Sequence, residues 1–437
     1  MDILNMHTHL FTHENSPRDF LKLYLPSFMA RGIDTFTNGK VGAWIVQHIG
    51  PVFGNAGKRY ASFMKIGKSE SQGGVLEKLI QSYPRGTKFV ALSMFMEEMG
   101  VGSSFSGYEG QLEQLILLKG RYPEELLVFL GIDPRWQPAS QLSLANAVRK
   151  YFTCTVTRNN KTYPVFNGLK LYPSTGFYVF DERLKETLEW AAEQEVPVVT
   201  HCNYLGGVYN NSESFIRANL NTSLRHYGID GDYNAFCARK GYRAPAYQMA
   251  NAPFIKRLIG MRDEKRNMVS CSFFLEPYSY EPVLEYFNRY GGKPLNICLA
   301  HYGGDIQIQL SEGMEPKGAD ELEKNPVGIG MLNWTTQIRN LMQRFDSVYT
   351  DISYAYVSKN VPPILFNDIL QKPYGNRILF GTDFYMTERV GKEQDNFSGF
   401  KKLAMEKTNQ DGKPVWDILM ESNYNFLKMG MNEQYKP

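Results

Sequence analysis

The apolar positions of this chain gather into eight short runs, most of them almost continuously hydrophobic and bounded by turn-forming residues. Runs of that kind suit strands buried on both faces of a parallel sheet. They cover Ile3 to His9, Lys88 to Met94, Leu126 to Asp133, Gly168 to Tyr172, Val196 to Cys202, Asn296 to His301, Val348 to Ser353 and Arg377 to Asp383. Helical spacing fills the intervals. Asp181 opens one helix with an acidic cap, and Pro282 sits where a helix's first turn accepts a proline. Strand and helix alternating around eight positions predict an α/β fold, a (β/α)8 TIM barrel, because right-handed crossovers leave few other solutions; an open doubly wound sheet is the rival.

Three connections are far longer than a crossover needs: 12–87, 203–295 and 305–347, after the first, fifth and sixth strands. Long segments of this kind are expected to cover a site and set its specificity. There is no internal repeat, low-complexity tract or interdomain linker, so residues 1–437 are expected to form one barrel domain with insertions.

Composition narrows the function classes. With 43% hydrophobic and 21% charged residues the chain has ample material for a core. Forty-eight basic against 45 acidic residues leave a formal charge of +3, and no run of Lys and Arg is suited to a phosphate backbone, so a nucleic-acid partner is not expected. The N-terminal Met1-Asp2-Ile3-Leu4-Asn5-Met6-His7 lacks a signal-like pattern, and no run approaches a membrane span, so a cytoplasmic protein without a membrane partner is expected. Five scattered cysteines with no C-x-x-C pair fit reduced thiols. No G-x-S-x-G elbow or nucleophilic cysteine context supports serine or thiol hydrolysis.

The chemistry lies in the histidines. There are seven, and four stand at the C-terminal ends of predicted strands: His7, His9, His201 and His301. Side chains alternate along a strand, so His7 and His9 project together into the barrel mouth while Thr8 points away. Asp383 ends the eighth strand, which closure brings beside the first. Three imidazoles and a carboxylate suit one divalent cation, most consistent with zinc, with manganese or iron as alternatives, and leave a position open for water or substrate. Such an ion lowers the pKa of bound water from about 15.7 toward about 7, and Asp383 can take the proton released.

Five stretches then occur in chain order on the expected elements: Met6-His7-Thr8-His9-Leu10, Val199-Thr200-His201-Cys202, Leu299-Ala300-His301-Tyr302-Gly303-Gly304, Phe380-Gly381-Thr382-Asp383 and Asn423-Tyr424-Asn425-Phe426-Leu427. With them the whole chain resembles the amidohydrolase superfamily, in the amidohydrolase-related (amidohydrolase 2) branch of metal-dependent hydrolases and non-oxidative decarboxylases. The resemblance implies that His7, His9, His201 and Asp383 are the metal ligands and that Asp383 doubles as the base. It implies that His301 polarises the substrate carbonyl or donates a proton, with a fourth nitrogen ligand as its alternative role.

Further residues have open readings. Lys170 ends the fourth strand, where some members of the superfamily carry a carboxylated lysine bridging two metals; a substrate-binding ammonium is preferred here, and a packing or salt-bridge role is the third reading. Tyr172 shares its face. Arg135 follows the third strand and could clamp a substrate carboxylate or stand solvated. Asp351 is expected to orient a metal-bound imidazole. Tyr204 and Tyr209 are pocket-lining candidates, and His13, His48 and His226 receive no role.

The expected function is hydrolysis of an amide, ester or lactone of a small molecule. The enzymatic alternative is a decarboxylase or hydratase acting on an aromatic or unsaturated acid, and the alternative from another class is a ligand-binding barrel without turnover. A homodimer is common among such barrels, and the sequence leaves it open.

Overall fold

The computed structural model describes residues 2–17, 69, 71–99, 102–203, 208–209, 222–242, 269–270, 274–290, 292–316 and 332–428. Eight strands form one sheet in the order β1 (Leu4–Thr8), β2 (Lys88–Leu92), β3 (Leu126–Ile132), β6 (Phe166–Leu171), β7 (Val198–Asn203), β10 (Ile297–Gly303), β11 (Val348–Asp351) and β12 (Ile378–Leu379). Every neighbouring pair is parallel. The two edges then meet: Met6 N donates to Phe380 O at 3.0 Å, His9 N to Phe384 O at 2.7 Å, and Thr8 bridges Phe384 in parallel. A sheet whose edges pair with each other is a barrel, and helices follow each of its strands, so the chain is a TIM barrel and not the open sheet.

Two hydrophobic groups hold it. One lies between sheet and helices; the other fills the barrel and includes Leu4, Met6, Val90, Leu92, Phe129, Val199, Cys298, Ala300 and Leu379. Phe129 spans so much of the interior that a Cβ at Gly168 would lie 2.4 Å from its ring, which is why the facing position on β6 carries no side chain. Phe426 and Leu427, from the last turn of the helix Val415–Leu427, join the interior group. From that helix Asn423 also reaches the barrel seam. Its Nδ2 donates to Leu4 O at 2.6 Å and Phe380 O at 3.0 Å, and its Oδ1 accepts from Phe380 N at 2.9 Å.

The register between β1 and β2 shifts between Asn5 and Thr8. In an unbroken strand Leu4, Met6 and Thr8 would share a face; the shift changes the phase, so Leu4 and Met6 pack in the interior while His7 and His9 both turn to the mouth above it. The eighth strand is shorter than expected. Beyond Leu379 the backbone leaves the ladder and turns its amides onto β1, Thr382 N and Asp383 N both donating to His7 O at 3.3 Å and 2.8 Å.

The helix Glu182–Glu193 starts as expected, with Asp181 accepting from Arg183 N. An antiparallel hairpin, β4 (Thr155–Arg158) and β5 (Lys161–Pro164), is a feature the periodicity does not reveal. Its turn residues Asn159 and Asn160 have φ of 50° and 61°, the left-handed pair that a two-residue hairpin turn requires. A second small pair joins β8 (Val208–Tyr209) to β9 (Val269–Ser270). The expected covering role of the three long connections falls mostly on segments outside the described residues, as do Tyr204, the side chain of Tyr209, His48 and Cys271. Cys154, Cys202, Cys237 and Cys298 are free thiols, and no helix among the described residues is long and apolar enough to cross a membrane.

Candidate metal centre

The strand ends deliver a cluster of imidazoles and carboxylates. His9 Nε2 lies 3.3 Å from Asp383 Oδ1, and His7 Nε2 lies 3.8 Å from the same oxygen. Their ligand atoms fall within 4.8 Å of one another, and all three residues are buried. Donor atoms around a tetrahedral ion with bonds near 2.1 Å stand about 3.4 Å apart, so the spacing is of the right size. Close approach at this point depends on Gly381, where a Cβ would lie 2.6 Å from His7 Cβ. Asp383 itself holds φ at 61°, a left-handed conformation that a non-glycine residue keeps only when its surroundings impose it.

The far nitrogens of the rings fix which atom is free to bind. His7 Nδ1 lies 2.8 Å from Asp351 Oδ2, so it carries the proton and leaves a lone pair on Nε2. His9 Nδ1 faces Leu92 O at 3.3 Å, which assigns its proton in the same way. Its Nε2 lone pair then confronts a carboxylate oxygen, an arrangement relieved by a shared cation or by an added proton. His301 Nδ1 faces Ser353 O at 3.2 Å and Ser353 Oγ at 2.8 Å, so its Nε2 accepts from His201 Nδ1 at 3.0 Å. That chain leaves His201 Nε2 as a third lone pair. His7 Nε2 and His201 Nε2 are buried with no hydrogen-bond partner among the described residues. His201 falls outside the three-residue group around Asp383 and joins it through His301, whose ring centroid is 4.6 Å from that of His201 and 4.7 Å from that of His7.

Burial keeps His7, His201 and His301 neutral. Burial outweighs the pull of Asp351 and pushes the His7 pKa down to about 3. Burial, then His301 and Lys170, hold His201 well below the usual imidazole range, and burial also lowers His301. The two carboxylates go the other way. Burial alone would raise Asp383, but the His9 contact and then His301 and His7 bring it below the usual range. Asp351 is likewise held down, against burial, by His7, His301 and Ser353.

Both oxygens of Asp351 are engaged by hydrogen-bond donors, and with His7 and His301 it forms a second group whose ligand atoms fall within 4.8 Å of one another. Besides His7 it accepts from His301 N at 2.9 Å, from Ser353 N at 3.0 Å and from Ser353 Oγ. Ser353 also lies 3.1 Å from His7 Nδ1, so one hydroxyl touches two imidazoles and the acid behind them. Sequence reasoning missed Ser353, although a polar residue two places beyond Asp351 at a buried strand end was a usable signal.

Lys170 is buried beside this cluster, and its Nζ has no hydrogen-bond partner among the described residues. Burial pushes its pKa down to about 8, against the attraction of Asp351 and Asp383. The Tyr172 ring meets His201 edge-on, with centroids 5.1 Å apart. Arg135 is placed otherwise than expected. Its fork is filled by Asp133, with Nε to Oδ1 at 2.7 Å and Nη2 to Oδ2 at 2.6 Å, and Nη1 reaches Thr175 O, so the face that would clamp a substrate carboxylate is given to a neighbour two residues away. His226 Nε2 donates to Phe180 O at 2.7 Å, in keeping with a packing role.

No family model matches the chain, and no curated protein does. Solved structures of similar architecture include an amidohydrolase from Burkholderia multivorans, 11% identical with a TM-score of 0.45 over 98% of this chain and 99% of that one. A 5-carboxyvanillate decarboxylase from Novosphingobium aromaticivorans, complexed with manganese, is 13% identical with a TM-score of 0.43 over 98% of this chain and 96% of that one. A probable 2-pyrone-4,6-dicarboxylic acid hydrolase from Acinetobacter baumannii is 10% identical with a TM-score of 0.45 over 98% of this chain and 100% of that one. Likeness of this degree carries no residue role across.

Proposed function

We propose that this chain is a metal-dependent hydrolase that cleaves an amide, ester or lactone of a small molecule. The observation that carries the reading is the convergence of the His7 and His9 Nε2 atoms on one carboxylate oxygen of Asp383 at the barrel mouth, with the Nε2 of His201 also buried and without a hydrogen-bond partner among the described residues. A divalent cation held by His7, His9, His201 and Asp383 would supply Lewis acidity and a lowered pKa for bound water, with zinc best matched to the donors and manganese or iron as alternatives. The remaining work belongs to the chain. Asp383, ionised near neutrality, takes the proton from the attacking water and returns it to the leaving group. His301 has Nδ1 anchored on Ser353 and Nε2 accepting from His201 Nδ1, so Nε2 is the nitrogen that takes up a proton and, once protonated, donates to the substrate. Asp351 keeps His7 in the tautomer that presents Nε2 outward.

Lys170 supports a second reading. An ammonium with no hydrogen-bond partner among the described residues suits a seat for a substrate carboxylate, in a decarboxylase or hydratase acting on an unsaturated acid as well as in a hydrolase acting on an acidic substrate. Reaction of its amine with carbon dioxide would instead make it a carboxylate ligand between two metals. A 13C carbamate resonance appearing with labelled bicarbonate, and vanishing in Lys170→Met, separates that fate from the ammonium.

The test is direct. Elemental analysis of the purified protein is expected to find bound metal, and His7→Ala with His9→Ala is expected to lose it while remaining folded. Retention of metal by the double variant sinks the site. The zinc- or manganese-loaded protein is then screened with lactones, N-acyl compounds and acids. Hydrolysis of any of them supports the first reading, release of carbon dioxide decides for the second, and tight binding without turnover leaves a ligand-binding barrel.

A further inference from the structure

We propose that Asn5 is a positioning residue of the metal centre, its carboxamide setting the spacing between His7 on β1 and Asp383 beyond β12. The inference rests on the metal reading above. At this seam the regular β11–β12 ladder covers only Thr350 with Ile378 and Asp351 with Leu379, so it does not by itself place the residues three and four positions further on. Asn5 is wholly buried two residues before His7. Its Oδ1 accepts from Thr382 N at 3.1 Å and His7 N at 3.3 Å, and its Nδ2 donates to Thr382 Oγ1 at 2.8 Å and Tyr83 OH at 3.0 Å. One side chain thus grips the backbone of one ligand and both ends of the residue preceding the other.

The grip is backed on the far side of Asp383. Tyr83 OH donates to Glu393 Oε1 at 2.6 Å, and Thr387 Oγ1 donates to Glu393 Oε2 at 2.9 Å. Asp383 is held from Thr382 before it, by its own N donating to His7 O at 2.8 Å and by Met386 N donating to its O at 2.8 Å, which is the over-determination its left-handed backbone requires. Its Oδ1 is 3.3 Å from one imidazole nitrogen and 3.8 Å from the other, so a few tenths of an ångström decide how the three donors meet an ion. Hydrophobic packing cannot set distances that finely; the backbone bonds from Thr382 N and Asp383 N to His7 O, together with a carboxamide whose every donor and acceptor is engaged, can.

The experiment titrates Co2+ into wild type, Asn5→Leu, Asn5→Asp and a control, Leu365→Ala, which opens the core on the outer helix Val361–Gln371. Visible absorption of the bound cobalt reports ligand geometry, and chelator competition reports affinity. Asn5→Leu removes every hydrogen bond of the carboxamide, whereas Asn5→Asp keeps the two bonds accepted at Oδ1 and loses the two donated from Nδ2. The expected result is an altered cobalt spectrum and affinity lower by about ten- to a hundredfold in Asn5→Leu, a smaller change in Asn5→Asp, and none in Leu365→Ala. A wild-type spectrum and affinity in folded Asn5→Leu overturns the proposal, as does an equal change in Leu365→Ala. Where Asn5→Leu does not fold, Asn5→Asp decides by the same two readouts. Wild type that takes up no cobalt overturns the metal reading itself, a result distinct from the failure of Asn5.

Discussion

Asp351→Asn is the sharpest probe of the site, because it changes one atom and its effect is predicted to act through a proton on another residue. Asp351 Oδ1 serves three donors, His301 N, Ser353 N and Ser353 Oγ, while Oδ2 serves His7 Nδ1 and, at 3.9 Å, Cys298 Sγ. An asparagine in this place turns its oxygen to the three donors and its NH2 to His7. Two N–H groups cannot face each other at 2.8 Å, and burial keeps His7 from holding a second proton near neutrality. The imidazole therefore changes tautomer. Nδ1 becomes the acceptor and the proton moves to Nε2, the nitrogen assigned to the metal. Exchanging a charged for a neutral hydrogen bond costs about 1 to 2 kcal/mol of stability. The tautomer change is expected to weaken metal binding by about ten- to a hundredfold, which is about 1.4 to 2.7 kcal/mol. Competition against a chromophoric chelator measures the affinity, and 15N chemical shifts of the imidazole identify which nitrogen is protonated. Wild-type affinity in a folded variant, with the proton still on Nδ1 of His7, refutes the reasoning.

Three other outcomes follow from the same contacts. The metal-free protein is expected to lose stability on acidification: His7 has a pKa of about 3 when folded against 6.5 when exposed, so the unfolded chain binds a proton the native one refuses, and unfolding becomes easier as pH falls through that window by on the order of a few kcal/mol. His201 and His301 shift in the same direction, and a urea midpoint that stays flat from about pH 7 to about pH 5 contradicts this. Lys170→Met is expected to stabilise the metal-free protein by on the order of 1 to 3 kcal/mol, since it removes a buried ammonium that has no hydrogen-bond partner among the described residues, while impairing turnover; a destabilised variant would mean that the ammonium is paired in the native state. Asn423→Ala orphans Leu4 O, Phe380 O and Phe380 N at the seam and is expected to cost about 2 to 4 kcal/mol in denaturant unfolding, and a loss below about 1 kcal/mol would show that the strands hold without it.

The barrel was legible because its strands are buried on both faces, and that requirement writes near-continuous apolar runs into the sequence at β2, β3, β7 and β10. The pairing of His7 with His9 was legible for the same geometric reason, although simple alternation does not explain how Met6 can also face inward; that takes a register shift, which no periodicity announces. Asp383 beside His9 followed from barrel closure. His201 was legible as a strand-end histidine but not as one linked to the site through His301, since contacts between side chains a hundred residues apart depend on rotamers. Arg135 misled because a fork-shaped cation after a strand looks available until its nearest acid is placed, and Asp133 stands two residues before it. Asn5 and Ser353 were passed over as polar residues in strand-end runs, where only the full set of their contacts shows what they do.

The arrangement also explains why the site sits at this seam. Seven strand pairs of the barrel are set by backbone ladders, and the eighth, between β12 and β1, is made of a few backbone bonds and the side chains of Asn5 and Asn423. Asn423 closes the end that the C-terminal helix plugs, and Asn5 closes the end where the imidazoles stand. Side-chain closure gives up the regularity of a ladder and in return lets the last strand leave the sheet early enough for Asp383 to turn back over His7 and His9. A fully laddered eighth strand would direct successive side chains alternately in and out and would carry Asp383 past the histidines. The nitrogens and the ammonium that have no hydrogen-bond partner among the described residues are each a cost of about 1 to 3 kcal/mol that packing could have avoided with apolar residues. A fold that keeps all of them in one place, and spends a strand's regularity to bring a carboxylate to them, is organised around something that binds there.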